Sequence, residues 1–164
     1  MNANTEIEIE KYCVFRQANM LFAFPANAII AVSPEPVIAA VPAADPVLAG
    51  ISHVRNEFLP VINLAALTGA PETGVLAEQQ LLVMRGANGA WAILVDRVLR
   101  LETLEISNNQ DLHEADDWTA AVIGSATVTN EVARILNPAT LYRLVESVLS
   151  AAWNSEEIVT AGTE

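Results

Sequence analysis

Short apolar runs, each closed by a proline or by turn-forming residues, dominate the first 136 residues of the chain. Runs of this length and β-rich composition are typical of strands. Strands are predicted at 12–16, 20–24, 58–62, 80–84, 90–95, 97–101, 120–128 and 132–136. The short polar connections at 17–19, 86–89 and 129–131 predict hairpins. Pro60 lies inside one run and predicts a sheet edge or bulge there, because proline has no N–H to donate.

Helical signals are confined to two short turns and the end of the chain. Residues 26–30 after Pro25 and residues 63–67 before Gly69 each predict about one helical turn. Four prolines between 33 and 46 exclude a long helix in that segment. After Asn137 and Pro138, apolar residues recur at helical spacing and predict a helix: Leu141, Leu144, Val145, Val148 and Leu149.

The two halves of the sequence repeat each other. Residues 13–32 align with 82–101, an offset of 69, and residues 50–67 align with 124–141, an offset of 74. The second alignment has seven identities in 18 positions. The repeat predicts two similar units of about five short strands each. Such small sheets bury their apolar faces best as two barrels packed on each other.

The duplication also separates fold from function. A residue that both halves share is explained by the common fold, whereas a difference points to a role in only one half. Arg55 aligns with Thr129, so the fold does not require a basic residue there. Arg55 is therefore the first candidate for function.

The charge of the chain is unevenly distributed. Eight Lys and Arg against 20 Asp and Glu give −12, of which residues 1–10 and 154–164 contribute −3 each and residues 102–117 contribute −6. The remainder is neutral. This balance disfavours nucleic acid and anionic membranes as partners. The longest apolar stretch, 20–32, contains Pro25 and is too short to cross a membrane, so we expect a cytoplasmic protein without membrane insertion.

No catalytic motif, metal site or cofactor site is predicted. The glycines at 86 and 89 lack the third glycine of a dinucleotide loop. Cys13 is the single cysteine, which we expect to be buried, and His53 lies 60 residues from His113. The acids of 102–117 leave open a ligand- or metal-responsive regulatory domain, although they lack the spacing of a dedicated calcium loop.

Several motifs together resemble the CheW family of chemotaxis coupling proteins. They are the Tyr-x-Val-Phe start at Tyr12, the Phe-Ala-Phe-Pro strand ending at Pro25, the block from Gly50 to Leu64, and the strand from Ile93 to Val98. The resemblance spans about residues 11–150. It implies a mainly β fold of two intertwined five-stranded SH3-like β-barrels, which arise from the internal duplication, with a C-terminal helix.

The expected organisation is one CheW-like domain between two acidic tails. The domain covers residues 11–153, and the tails are residues 1–10 and 154–164. Within the domain, the two barrel subdomains are expected at approximately 11–70 and 80–141, followed by a helix at 138–152.

The implied function is that of a non-enzymatic adaptor. It joins the cytoplasmic tips of chemoreceptors to the regulatory domain of a sensor histidine kinase, in an array at the inner face of the membrane. A pilus or other non-flagellar signalling cluster is the alternative setting. The resemblance assigns partner binding to eight positions: Ile29, Ala31, Gly50, His53, Arg55, Asn56, Val95 and Val98.

Three departures from the family pattern affect these positions. The usual Asn-Leu-Arg-Gly is His53-Val54-Arg55-Asn56, and the aspartate usual after the Pro-Val-Ile strand is Asn63. The glutamate common two residues after the Ile29 position is Ala31, so the family-type partner of Arg55 is missing. These changes favour a specialised or second-copy coupling protein.

Overall fold

Eleven strands and two helices make up the described part of the chain. The computed structural model describes residues 10–34, 36–42, 44–69, 78–108 and 118–161. The helices are α1 (Leu64–Thr68) and α2 (Pro138–Ala161), and short 3-10 turns lie at Ala26–Ala28 and Trp118–Ala121. The strands are β1 (Lys11–Gln17), β2 (Met20–Pro25), β3 (Ile29–Ser33), β4 (Leu48–Val54), β5 (Glu57–Asn63), β6 (Gln80–Met84), β7 (Trp91–Val95), β8 (Arg97–Thr103), β9 (Ser107–Asn108), β10 (Val122–Val128) and β11 (Glu131–Leu136).

The strands form two sheets, and each sheet takes strands from both halves of the sequence. One sheet has the order β8-β1-β2-β11-β10-β9 and the other β3-β6-β7-β5-β4. The β1–β2 hairpin thus lies among strands of the second half, and the β6–β7 hairpin lies among strands of the first. Apart from the two-residue β9, the two orders are equivalent under the duplication. The prediction of a mainly β fold with a C-terminal helix is confirmed.

The strand registers repeat as well. Ala31 lies opposite Val83 in the β3–β6 pair, and Arg100 lies opposite Val14 at the duplicate place in the β8–β1 pair. Both pairs carry a register shift next to these residues. Because even the bulges are repeated, duplicate residues of the two halves can be compared position by position.

Neither sheet closes into a barrel in the described part of the chain. β8 and β9 are the edges of one sheet, and β3 and β4 are the edges of the other. The expectation of closed SH3-like barrels is therefore not confirmed. Each sheet covers its own apolar cluster, and a third cluster joins both sheets to α2; its largest side chains include Phe15, Phe22, Phe24, Trp91 and Ile93.

Pro60 lies on an interior strand, so the prediction of an edge or bulge at this residue is wrong. It faces Ile51 of β4, whose N–H and C=O are both bonded to Ala39 on the other side. The parallel ladder between β5 and β7 begins only at Val61. The N–H that proline lacks therefore has no ladder bond to make at this position.

Both helices begin at an asparagine cap. The Asn63 side chain accepts a hydrogen bond from the Ala66 N–H, and that of Asn137 accepts from Ala139 and Thr140. Gly69, with φ 76°, ends α1 in the left-handed conformation. Helix α2 continues to Ala161, beyond the expected end at 152, because no proline or glycine interrupts the sequence before residue 162.

Candidate partner-binding surfaces

A groove of about 260 Å³ lies between β3 and β8, the edge strands of the two sheets. Three duplicate pairs form its walls: Ile29 and Val98, Ala31 and Arg100, and Val32 and Leu101. Duplicate residues thus line the groove from both halves. The groove therefore lies on the approximate twofold axis that relates the halves.

The groove is mostly apolar and partly open to solvent. Val32 is 41% exposed and Leu101 is 60% exposed, while Ile29 and Val98 are half-buried. Cys13 also lines the groove but is only 2% exposed, and its burial raises the pKa of the thiol to about 11. Cys13 is thus a neutral, packed thiol at neutral pH, as expected from the sequence. Such a surface suits an apolar partner segment.

A hydrogen-bonded corner fixes the β8 wall of this groove. Asp96, between β7 and β8, accepts a hydrogen bond from the Ala18 N–H (2.7 Å) and donates its own N–H to the Arg16 carbonyl (3.2 Å). The Val98 N–H donates to Oε1 of Gln80 (2.6 Å). These bonds tie the start of β8 to the β1–β2 turn and to β6, so Val98 is held in place in the wall.

The tip of the β4–β5 hairpin is a second exposed surface. Its central residues, Arg55 and Asn56, have φ values of 52° and 66°. Positive φ at both positions is typical of a type I′ turn, which normally takes asparagine or glycine. An arginine in this conformation is uncommon and carries a backbone cost of about 1–3 kcal/mol. Both residues are exposed, and the described residues offer Arg55 no ion pair.

An aromatic pair extends this surface along the hairpin. The His53 ring stacks on Phe58 with a centroid distance of 4.7 Å, and Phe58 is 76% exposed. The duplicate positions carry Thr127 and Val132, so the pair occurs only in the first half. Sequence reasoning missed Phe58. Its mismatch with Val132 was the signal available in the sequence.

The predicted partner-binding residues fall into three places. Ile29, Ala31 and Val98 line the groove. His53, Arg55 and Asn56 lie at the exposed end of the β4–β5 hairpin. Val95 and Gly50 are buried, so neither offers a side chain to solvent.

Gly50 has a structural role of its own. With φ 151°, a side chain would be strained here, and a Cβ would lie 2.3 Å from the Ala39 carbonyl oxygen. At its duplicate, Gly124, a Cβ would likewise lie 2.7 Å from the Ser107 carbonyl oxygen. The absence of a side chain at Gly50 therefore lets the segment at Ala39 pair with β4.

Two further sequence expectations concern metals and membranes. The described residues contain no cluster of histidine, cysteine, aspartate or glutamate that could hold a metal ion. Residues 109–117 of the acidic segment lie outside the described residues, as do the acids before residue 10. Within the described ranges, the helices are too short or too polar to span a bilayer.

Comparison with protein-family models identifies the family of this chain. The model of the CheW-like domain matches residues 11–146. The chain belongs to the CheW-like domain family. The CheW fold is also that of the scaffolding protein TtCheW from Thermoanaerobacter tengcongensis, which is 19% identical with a TM-score of 0.72. That similarity covers 86% of this chain and 92% of the other. No curated protein matches the chain in sequence.

Proposed function

We propose that this CheW-like protein is a non-catalytic adaptor that couples the cytoplasmic tips of chemoreceptors to the regulatory domain of a sensor histidine kinase. The observation that carries the proposal is the apolar groove on the twofold axis of a CheW-like domain. As an adaptor in such an array, the protein acts in the cytoplasm, at the inner face of the membrane. Its two candidate surfaces serve two different partners.

The groove binds the receptor segment. Its exposed apolar side chains, Val32 and Leu101, match the apolar face of an amphipathic helix, which docks through anchors spaced along one side. The half-buried side chains of Ile29 and Val98 line the deeper part of the groove. Ala31 adds only a methyl group to the wall formed by β3. Val95 supports this wall indirectly, because its side chain packs in the core cluster that Ile29 and Val98 also contact.

The β4–β5 hairpin tip binds the kinase regulatory domain. Arg55 presents a guanidinium that no carboxylate of the described residues engages, and arginine is well suited to anchor interfaces through its planar fork. The stacked His53 and Phe58 add apolar area beside it. Asn56 holds the second positive-φ position of the turn and so sets the direction of Arg55.

Separate binding measurements with the two partners test this assignment. Leu101→Glu places a charge in the groove and is expected to abolish binding of the receptor tip while leaving binding of the kinase domain unchanged. Arg55→Ala and Phe58→Ala are expected to do the reverse, each weakening kinase binding about tenfold or more. Isothermal titration calorimetry with purified fragments measures both.

Val132→Ala is the matched control for Phe58→Ala. Val132 is also an exposed apolar residue (65%) at the duplicate position of Phe58, but it lies on the other hairpin. It is expected to change neither affinity. Equal losses from Phe58→Ala and Val132→Ala, or unchanged kinase binding by a folded Arg55→Ala protein, would remove the hairpin from the kinase interface.

A further inference from the structure

A cavity of about 350 Å³ between the β6–β7 hairpin and the start of α2 shares no lining residue with the groove or the β4–β5 hairpin tip. Its volume is in the range of small-molecule sites. The hairpin contributes Arg85, Gly86 and Trp91, and the helix contributes Tyr142, Arg143 and Glu146. The proposed adaptor function uses none of these residues.

Trp91 lines this cavity and carries a hydrogen-bond donor, its indole Nε1–H. The residue is only 1% exposed, and its indole packs at 5.0 Å from the Tyr142 ring. Its Nε1 lies 3.3 Å from where a Cβ of Gly86 would be, so the N–H edge faces the hairpin wall of the cavity. The described residues give this N–H no acceptor. The N–H is open to the cavity rather than enclosed, so an acceptor atom of a ligand can reach it.

The cavity also has excess positive charge. Two arginines, Arg85 and Arg143, line it against one acid, Glu146. Neither guanidinium is ion-paired with a carboxylate of the described residues. A guanidinium and an indole N–H together offer donors only, so the ligand atoms must be acceptors, and the charge favours an anion.

Gly86 lets the β6–β7 hairpin pack closely against Trp91 and adds no side chain to the cavity wall. A Cβ at this residue would lie 2.4 Å from the Gly89 carbonyl oxygen and 3.0 Å from Cδ1 of Trp91. The duplicate position in the first half is Gln17, which carries a buried side chain. The second half therefore lacks, at Gly86, a side chain that the fold accommodates elsewhere.

We propose that this cavity binds a small aromatic carboxylate. The flat ring of the ligand lies against the apolar lining formed by Trp91 and Tyr142. Its carboxylate accepts hydrogen bonds from Nε1 of Trp91 and from the guanidinium of Arg143.

A titration of the full chain with benzoate tests the proposal. The indole N–H resonances of the ¹⁵N-labelled protein are followed at constant ionic strength, and they are assigned from Trp118→Phe and Trp153→Phe, which leave Trp91 in place. Benzoate is expected to shift the Trp91 resonance saturably and to leave that of Trp118 unchanged. Benzamide has the same shape without the charge, and it is expected to bind about tenfold more weakly.

Arg143→Gln distinguishes the cavity from general anion binding. This substitution is expected to weaken benzoate binding about tenfold, whereas Arg97→Gln, which removes an exposed arginine of β8, is expected to have no effect. The proposal is overturned if benzoate leaves the Trp91 resonance unmoved, if benzamide shifts it equally, or if the two arginine substitutions have the same effect.

Discussion

Nη2 of Arg100 donates a hydrogen bond to Oγ1 of Thr129 over 2.9 Å, from the groove wall to the tip of the β10–β11 hairpin. Under the duplication, Arg100 corresponds to Ala31 and Thr129 to Arg55. The groove and the β4–β5 hairpin tip are therefore neighbours in the first half too. Ala31 and Val54 pack against the same apolar cluster, which supports this placement. With only a methyl group at residue 31, Arg55 is left available to a partner.

Ala31→Glu is expected to pair with Arg55. The introduced carboxylate would face the Arg55 guanidinium at the place where Arg100 contacts Thr129 in the other half. An exposed ion pair of this kind is worth about 0.2–1 kcal/mol. A double-mutant cycle of Ala31→Glu with Arg55→Ala, measured by urea unfolding, gives the coupling energy. The coupling should decrease at high salt. A coupling of zero would show that residues 31 and 55 do not face each other.

Gly50→Ala is expected to lower the free energy of unfolding more than Gly69→Ala does. Both glycines have positive φ, but only the Gly50 Cβ would meet a backbone oxygen, whereas the space around Gly69 is open. We expect about 1 kcal/mol for Gly69→Ala and more than about 2 kcal/mol for Gly50→Ala. Urea unfolding of both variants measures the difference. Equal losses would mean that the segment at Ala39 adjusts freely.

Asp96→Ala is expected to destabilise the protein by about 1.5–3 kcal/mol, as typical for hydrogen bonds to a charged group. The change removes the carboxylate that accepts from the Ala18 N–H and, at 3.4 Å, from Nε2 of Gln79. Asp96→Asn keeps one acceptor oxygen and is expected to cost less. Thermal and urea unfolding measure both variants. If the alanine variant loses no more than the asparagine variant, the carboxylate does not hold this corner.

Cys13 is expected to resist modification while the protein is folded. Burial raises the pKa of its thiol to about 11, so at pH 8 the reactive thiolate is scarce as well as inaccessible. A disulfide reagent such as DTNB should label Cys13 rapidly in urea and only slowly without it. Fast labelling of the folded protein would contradict the buried position.

The raised pKa of the Cys13 thiol also predicts how the free energy of unfolding changes at alkaline pH. The thiol pKa is higher in the folded state than in the unfolded chain, so the unfolded state loses its proton first as the pH rises. Stability from this source is therefore complete below the unfolded pKa and declines from about pH 8.5 toward the folded value. Cys13→Ala should flatten this part of the pH–stability curve. An unchanged slope would assign the decline to other groups.

Local structure was predictable because its signals are local. Short apolar runs and the turns at 17–19, 86–89 and 129–131 predicted three hairpins at the correct places, and Asn137 with Pro138 located the start of α2. Pro60 was misjudged because the relevant fact, the pairing of Ile51 with Ala39, joins segments with no shared sequence signal.

The candidate surfaces were predictable only in part. Arg55 was found because its duplicate is Thr129, and Ile29 and Val98 were found through the family motifs. Phe58 was missed because exposure of a strand residue depends on which neighbouring elements cover it. No sequence signal marks the cavity beside Trp91, because Trp91 aligns with Phe22 and the common fold explains an aromatic residue at this position. Trp91 is buried, and one edge of it also lines an open space.

The exchange of hairpins between the two sheets bears on how such a chain could arise. A polypeptide containing only one half would have β1 and β2 without the strands beside them, and its three remaining strands would lack their central hairpin. Only a second copy could supply both. A half-length ancestor would therefore have folded as a strand-swapped homodimer, with the groove on its symmetry axis. Duplication of its gene and fusion of the two copies would then have allowed the axis-lining residues to diverge, as Ala31 and Arg100 have.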